Sequence, residues 1–155
     1  PRLVAERIRS SAGDPSKHFH GPVLDVGAGP LALHARALQK KFPGRRVDAW
    51  EVGKNHVPGV HLPYIEMAAY PLAYASNVLN VQPNRRGVDR LLCTLFLSLR
   101  CGGEAWINYP QSPRRWGISV KTMEAVLFQE WIDVLEGRAV TRLKGLSCPV
   151  WTLWR

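Results

Sequence analysis

The sequence has few cysteines and no long hydrophobic run. Only three cysteines occur among 155 residues, and none belongs to a CxxC pair: Cys93, Cys101 and Cys148. An odd number without metal-ligand spacing argues against a disulfide framework or a structural zinc site, so we expect free thiols, no bound metal and a cytoplasmic protein. The longest nearly apolar run, Leu91–Leu99, is far shorter than the roughly 20 residues of a membrane span. We therefore expect no membrane partner.

Acidic residues are also scarce. The chain holds 12 Asp and Glu against 21 Lys and Arg, which gives a formal net charge of +9 and a pI near 10.0. Such a surplus of positive charge points to an anionic partner such as nucleic acid, but it identifies neither a base sequence nor a reaction. A chain of this length buries roughly 68–70% of its unfolded surface, which is enough for one domain with its own core.

Neither repeats nor low-complexity segments divide the chain, so we expect one domain, with residues 1–20 as an N-terminal helix and loop and residues 21–155 as the core. The predicted strands are 23–26, 46–52, 74–81 and 104–109, with a closing pair at 139–143 and 150–154. Helices are predicted at residues 31–41 and 120–135. A further helix is predicted between them, with its apolar face formed by residues within 91–99. Residues 53–75 are predicted to be the least regular part, with a short strand around Tyr64–Met67. The alternation predicts an α/β three-layer sandwich with a mostly parallel sheet and an antiparallel C-terminal hairpin.

A glycine turn follows the first predicted strand. Gly27, Ala28 and Gly29 lie between that strand and a helix, where backbone N–H groups and a helix N-terminus come close to a ligand. The same letters fit a dinucleotide fingerprint, and such a turn also occurs for structural reasons alone. Glu51 lies 22 residues beyond Gly29, at the end of the second strand. A carboxylate at this position can accept hydrogen bonds from two ribose hydroxyls.

The segment Val23–Pro30 resembles the first motif of class I S-adenosylmethionine-dependent methyltransferases, in which an apolar strand and an acidic residue precede GxG. Asp25 makes the resemblance specific, because dehydrogenase fingerprints usually hold an apolar residue there. The resemblance implies a Rossmann-like fold over almost the whole chain, with S-adenosyl-L-methionine as cofactor and S-adenosyl-L-homocysteine as product. The cofactor-binding residues that it implies are Asp25, Gly27, Ala28, Gly29, Glu51, Glu66 and Asn77.

Methyl transfer from a sulfonium is an in-line displacement, so the protein mainly positions the acceptor and, where needed, removes a proton. The Asp/Asn-Pro-Pro-aromatic motif of many amino-methyltransferases is absent after the predicted strand 74–81, and no cysteine follows that strand as a cytosine C5 nucleophile. The catalytic residue is therefore not identified. The candidates near the expected transfer site are Asn77, Asn80 and Tyr109.

Two basic clusters follow neighbouring predicted strands. The carboxyl ends of parallel strands share one rim, so both clusters are expected there, with Tyr109 and Trp116 as stacking surfaces beside phosphate contacts. The predicted substrate-binding residues are Arg85, Arg86, Arg114, Arg115 and Trp116. The pairs Lys40–Lys41 and Arg45–Arg46 are expected at the opposite end of the sheet, where they only raise solubility.

Three functions remain open at this point. The first is a methyltransferase that acts on RNA or DNA, with a small molecule as the other acceptor class. The second is a cofactor-binding but inactive methyltransferase-like subunit or regulator that works with a protein partner. The third is a nicotinamide-binding protein, which Asp25 disfavours.

Overall fold

The computed structural model describes Glu6 and residues 20–109, 141–142 and 150–155. Two helices lie within these residues, α1 (Leu33–Lys41) and α2 (Arg85–Ser98). Short 3-10 turns cover Gly53–Asn55 and Leu79–Val81. The strands are β1 (Val23–Val26), β2 (Val47–Trp50), β3 (Tyr70–Ala75), β4 (Leu99–Asn108), β5 (Thr141–Arg142) and β6 (Val150–Trp154). No helix among the described residues is long and apolar enough to cross a membrane.

The six strands form one sheet in the order β2-β1-β3-β4-β6-β5. β1 runs parallel to β2 and β3, and β3 runs parallel to β4. β6 is antiparallel to both β4 and β5. The predicted mostly parallel sheet with an antiparallel C-terminal hairpin is confirmed. Because β1 to β4 are parallel, their carboxyl ends meet at one rim of the sheet.

The core lies on both faces of the sheet, because side chains alternate along each strand. On one face, Leu38 of α1 packs in a cluster with Val23, Leu72 and Tyr74. On the other face, α2 contributes Val88, Leu91, Leu92 and Leu95 to a larger cluster that includes Leu24, Val26, Ala73, Ala75 and Ile107. The two described helices thus cover opposite faces, as a three-layer sandwich requires.

The strand predicted at 74–81 lies earlier in the chain. The structure places β3 at Tyr70–Ala75, and Asn77, with a φ of 58°, turns the chain away after it. Proline lacks an N–H donor and is disfavoured in a central strand, yet Pro71 lies within β3. The β3–β4 register shifts between Tyr70 and Leu72, so Pro71 occupies an irregularity of the ladder.

The short strand expected around Tyr64–Met67 is not formed, so this prediction is wrong. Between β2 and β3 the described chain has a 3-10 turn and an isolated bridge of Pro58 to His61. β2 is therefore an edge strand, and its edge is partly covered: the Val47 N–H donates to Gln39 Oε1 at 2.9 Å, and the Ala49 carbonyl accepts from the Leu62 N–H at 2.8 Å. These hydrogen bonds occupy backbone groups of β2 that could otherwise pair with a strand of another chain.

The helix boundaries also differ from those predicted. α1 begins at Leu33, two residues after Leu31, because Ala32 takes a left-handed conformation with a φ of 47°. α2 begins at Arg85, well before its apolar face, where the Asn84 side chain caps it by accepting from the Gly87 N–H at 3.1 Å. The N-terminal helix and the helix predicted at 120–135 lie outside the described residues, apart from Glu6 and residue 20.

Candidate functional site

The turn after β1 depends on two glycines for different reasons. Gly27 and Gly29 have φ angles of 73° and 71°, which side chains with a Cβ rarely adopt. A Cβ on Gly27 would lie 2.6 Å and 2.7 Å from the two methyl carbons of Val78, whereas a Cβ on Gly29 would meet nothing within 4 Å. Gly27 therefore lets the residues after β3 approach, and Gly29 borders open space.

Glu51 is held against this turn. Its Oε2 accepts the Gly29 N–H at 2.8 Å, and its Oε1 accepts the Val52 N–H at 2.8 Å. The side chain is half-buried, and each carboxylate oxygen keeps a second lone pair for another donor. The fold thus brings together the two features that the sequence analysis selected separately, the glycine turn and the acid after β2.

Asp25 belongs to β1, two residues before Gly27, and has 1% of its surface exposed. Burial raises its pKa to about 6. Neither Asp25 Oδ2 nor the Tyr74 hydroxyl has a hydrogen-bonding partner among the described residues. Burial and the Asp25 carboxylate in turn raise the Tyr74 pKa. A buried carboxyl with an unused oxygen is costly, and such groups concentrate at functional sites.

His61 fixes the other side of the glycine turn, and sequence reasoning missed it. The ring is 5% exposed, its Nδ1 accepts the Val57 N–H at 2.9 Å, and its Nε2 lies 2.9 Å from the Gly29 carbonyl oxygen. Since Nδ1 accepts, Nε2 carries the proton and donates to that carbonyl. No motif spacing marks this histidine, because its partner Gly29 is 32 residues away in sequence.

The candidate catalytic residues occupy different environments. Asn77 is exposed at the rim and pairs with Asn108: the Asn77 N–H donates to Asn108 Oδ1 at 2.6 Å, and Asn108 Nδ2 donates to Asn77 Oδ1 at 3.1 Å. Asn80 is 7% exposed, and its Oδ1 has no partner among the described residues. Tyr109, expected to offer a stacking surface, is instead fully buried, and burial raises its pKa.

A groove of about 950 Å³ opens beside the glycine turn. Gly27 and Glu51 line one part of it, and the remaining walls come from the loop before β3 and from one face of α2. We call this cavity the α2 groove. Its other lining residues include Val52, Tyr64, Met67, Val78, Arg86, Arg90, Cys93 and Leu97.

The predicted substrate residues divide into three groups. Arg86 is exposed and lines the α2 groove. Arg85 Nε instead contacts Asp89 Oδ1 at 2.9 Å. The three remaining residues, Arg114, Arg115 and Trp116, lie outside the described residues. Glu66, one of the predicted cofactor-binding residues, is exposed and does not line the groove.

Three solved structures share the fold. The S-adenosylmethionine-dependent methyltransferase SibL in its apo form matches with a TM-score of 0.57 and 16% identity over 99% of this chain and 55% of that chain. The T. thermophilus 16S rRNA methyltransferase RsmC in complex with AdoMet and guanosine matches with a TM-score of 0.56 and 14% identity, over 88% of this chain and 35% of that chain. The plantazolicin methyltransferase BpumL in complex with SAH matches with a TM-score of 0.56 and 9% identity, over 97% of this chain and 85% of that chain.

These similarities establish the fold. The chain has the Rossmann-like fold of class I S-adenosylmethionine-dependent methyltransferases, as its first motif predicted. It spans 55% of the length of SibL and 35% of the length of RsmC. No protein-family model and no curated protein matches the sequence.

Proposed function

We propose that this protein binds S-adenosylmethionine at the glycine turn and transfers its methyl group to a nucleic acid. One observation carries the proposal: Glu51, at the carboxyl end of β2, meets the Gly29 N–H at 2.8 Å beside a groove that both Gly27 and Glu51 line. Ligands of open α/β sheets gather at the carboxyl ends of the strands, next to such a turn. The methyltransferase fold supports this cofactor over a nicotinamide.

The residues at the turn fit an adenosyl ligand. The space beside Gly29 is open, and the free lone pairs of Glu51 suit two ribose hydroxyls. Val52 and Val78 add apolar surface to the groove, next to Glu51 and Gly27 respectively. When bound, the cofactor supplies an electrophilic methyl group on a sulfonium. His61 holds the turn through the Gly29 carbonyl. Asp25, Glu66 and Asn77 stay predicted cofactor contacts.

A nucleic acid is the acceptor that the charge favours. The whole chain carries a net charge of +9, and Arg86 places a guanidinium in the α2 groove, next to the proposed cofactor position. In-line methyl transfer needs chiefly a correctly placed acceptor atom, so the protein's main task is to hold the nucleic acid at that point.

A second candidate is a cofactor-binding subunit that is inactive alone. The side chains that would assist proton removal are engaged or enclosed: Asn77 pairs with Asn108, and Tyr109 is fully buried. Transfer of a radiolabelled methyl group separates the two candidates. We expect incorporation into RNA or DNA by the protein alone, whereas cofactor binding without transfer to any acceptor would favour the inactive subunit.

The cofactor site is tested by calorimetric binding of S-adenosylhomocysteine to the wild type and to Glu51→Ala. We expect the substitution to weaken binding by about 1.5–3 kcal/mol, roughly ten- to a hundredfold, because a charged hydrogen-bond acceptor is lost. Glu51→Gln keeps one acceptor oxygen and the side-chain shape, so it should lose less. Equal affinities for all three proteins, or no binding to the wild type, would rule the site out.

A further inference from the structure

One face of α2 forms a continuous wall of the α2 groove. Arg86, Arg90, Cys93 and Leu97 follow one another at helical spacing, and all four are exposed and line the groove. The core-facing positions of the same helix, including Val88, Leu92 and Leu95, are fully buried. The second face of α2 is therefore solvent-accessible and borders the groove.

This wall carries two cations, Arg86 and Arg90. Among the residues that the structure describes, no ion pair involves Arg86 or Arg90, whereas the intervening Asp89 is paired with Arg85 at 2.9 Å. Arg86 and Arg90 lie four residues apart, about 6 Å along the helix axis, on the same side of the helix. Two guanidinium groups one helical turn apart offer contacts for successive phosphates.

The part of the lining that comes from the loop before β3 includes exposed apolar surface. Tyr64 has 74% and Met67 62% of its surface accessible, and both line the groove. Neither residue belongs to the core clusters, so the core does not require an aromatic ring at position 64. An exposed aromatic ring and cations that line one groove are the combination by which proteins hold unpaired nucleotides.

We propose that the α2 groove binds a single-stranded segment of the nucleic acid, with bases against Tyr64 and Met67 and phosphates at Arg86 and Arg90. The inference rests on the proposed function and extends it, because it identifies the acceptor as an unpaired strand. A duplex keeps its base faces stacked inside, so it cannot offer them to Tyr64. Two phosphate contacts favour a polynucleotide over a free nucleotide.

Fluorescence anisotropy with a labelled oligonucleotide of about 10 nucleotides tests this, a length within the roughly 4–16 nucleotides that single-strand-binding OB folds take. The competitors are the same strand in duplex form and adenosine monophosphate. We expect the single strand to bind at least tenfold more tightly than either. Equal affinity for the duplex would overturn the proposal, and equal affinity for the mononucleotide would reduce the groove to a small-molecule site.

The cations are tested against a matched control. Arg86→Gln combined with Arg90→Gln removes two charges from the groove, and Lys40→Gln combined with Lys41→Gln removes two charges from the end of α1, beside a separate cleft. We expect only the first pair to lower the slope of log affinity against log salt by about 1.4, since each single-strand phosphate contact contributes about 0.7. Equal losses in both double variants would mean non-specific attraction and overturn the proposal.

The ring is tested in the same assay. Tyr64→Ala should weaken single-strand binding roughly tenfold, whereas Tyr64→Phe keeps the stacking surface and should bind as the wild type does. Unchanged binding by Tyr64→Ala would contradict the stacking role. Calorimetry with S-adenosylhomocysteine on the same proteins separates the two proposals. If the wild type does not bind S-adenosylhomocysteine, the proposed function is wrong. If it binds S-adenosylhomocysteine but no polynucleotide, only the groove proposal is wrong.

Discussion

At the residue scale, the two glycines of the GxG motif, Gly27 and Gly29, have different structural roles. Both have φ angles near 70°, so both need a residue that tolerates the left-handed region. They differ in their surroundings. A Cβ on Gly27 would lie within 2.7 Å of both methyl carbons of Val78, whereas a Cβ on Gly29 would meet no atom within 4 Å. The missing side chain of Gly27 therefore lets Val78 pack against the turn, and the missing side chain of Gly29 leaves the neighbouring space open.

Substitution of each glycine by alanine should separate these purposes. Gly29→Ala costs about 1–2 kcal/mol of folding free energy from backbone strain alone, but its methyl group enters the space proposed for the cofactor. Gly27→Ala adds a collision with Val78 and should destabilise by clearly more. Urea denaturation and S-adenosylhomocysteine calorimetry on both variants check this. If Gly29→Ala bound the cofactor product as the wild type does, the open space would not be the cofactor position.

At the scale of elements, the segment between β2 and β3 is tied to the glycine turn rather than to the sheet as a strand. His61 bonds the Val57 N–H on its own segment and the Gly29 carbonyl across the turn. With Glu51 holding the Gly29 N–H, one glycine is fixed by both of its backbone polar groups. An irregular segment thus shapes the site, which explains why its prolines are compatible with a defined structure.

His61→Ala should loosen this connection. It leaves the Val57 N–H and the Gly29 carbonyl without their partner, so we expect the free energy of unfolding to fall by about 1–3 kcal/mol and cofactor-product binding to weaken. His56→Ala is the matched control, because that ring lies 5.7 Å from His61 and is half-buried. Denaturation and calorimetry give both readouts. Indistinguishable effects of the two variants would show that His61 does not position the turn.

At the scale of the whole molecule, Asp25 links stability to pH. Its pKa is about 6 in the folded protein against 3.8 for the free side chain, because the folded protein buries it. The folded state therefore holds the proton more tightly, and its contribution to stability is complete below about pH 3.8 and is lost as pH rises through 6. The two pKa values set the loss at about 3 kcal/mol.

Asp25→Asn should remove this dependence. Relative to the wild type, we expect the variant to gain up to about 3 kcal/mol in unfolding free energy between pH 4 and pH 7. Urea denaturation across that range measures it, with Asp89→Asn, at the surface beside Arg85, as the control. A constant difference between Asp25→Asn and the wild type would contradict the burial of an ionised carboxyl. Reduced binding of the cofactor product by the stabilised variant would show that this cost serves the site.

The Rossmann-like fold and the contact region of the glycine turn and Glu51 could be predicted from the sequence. The alternation of strands and helices is a local pattern, and the motif around Asp25, Gly27 and Gly29 is contiguous, so both are readable along the chain. Glu51 was found because its position follows from the end of a strand. The β3 boundary was misplaced, because only the β3–β4 pairing shows that Pro71 lies at a register irregularity.

Local patterns in the sequence by itself determined the sheet, the glycine turn, its acid and the excess of positive charge. Only the tertiary structure decided that Tyr109 is enclosed, that Arg85 is paired while Arg86 lines a groove, and that His61 contacts Gly29. Neighbouring residues such as Arg85 and Arg86 are equivalent as letters, but helix geometry points them in different directions. Contacts across 32 residues of chain depend on how segments pack, which no local periodicity encodes.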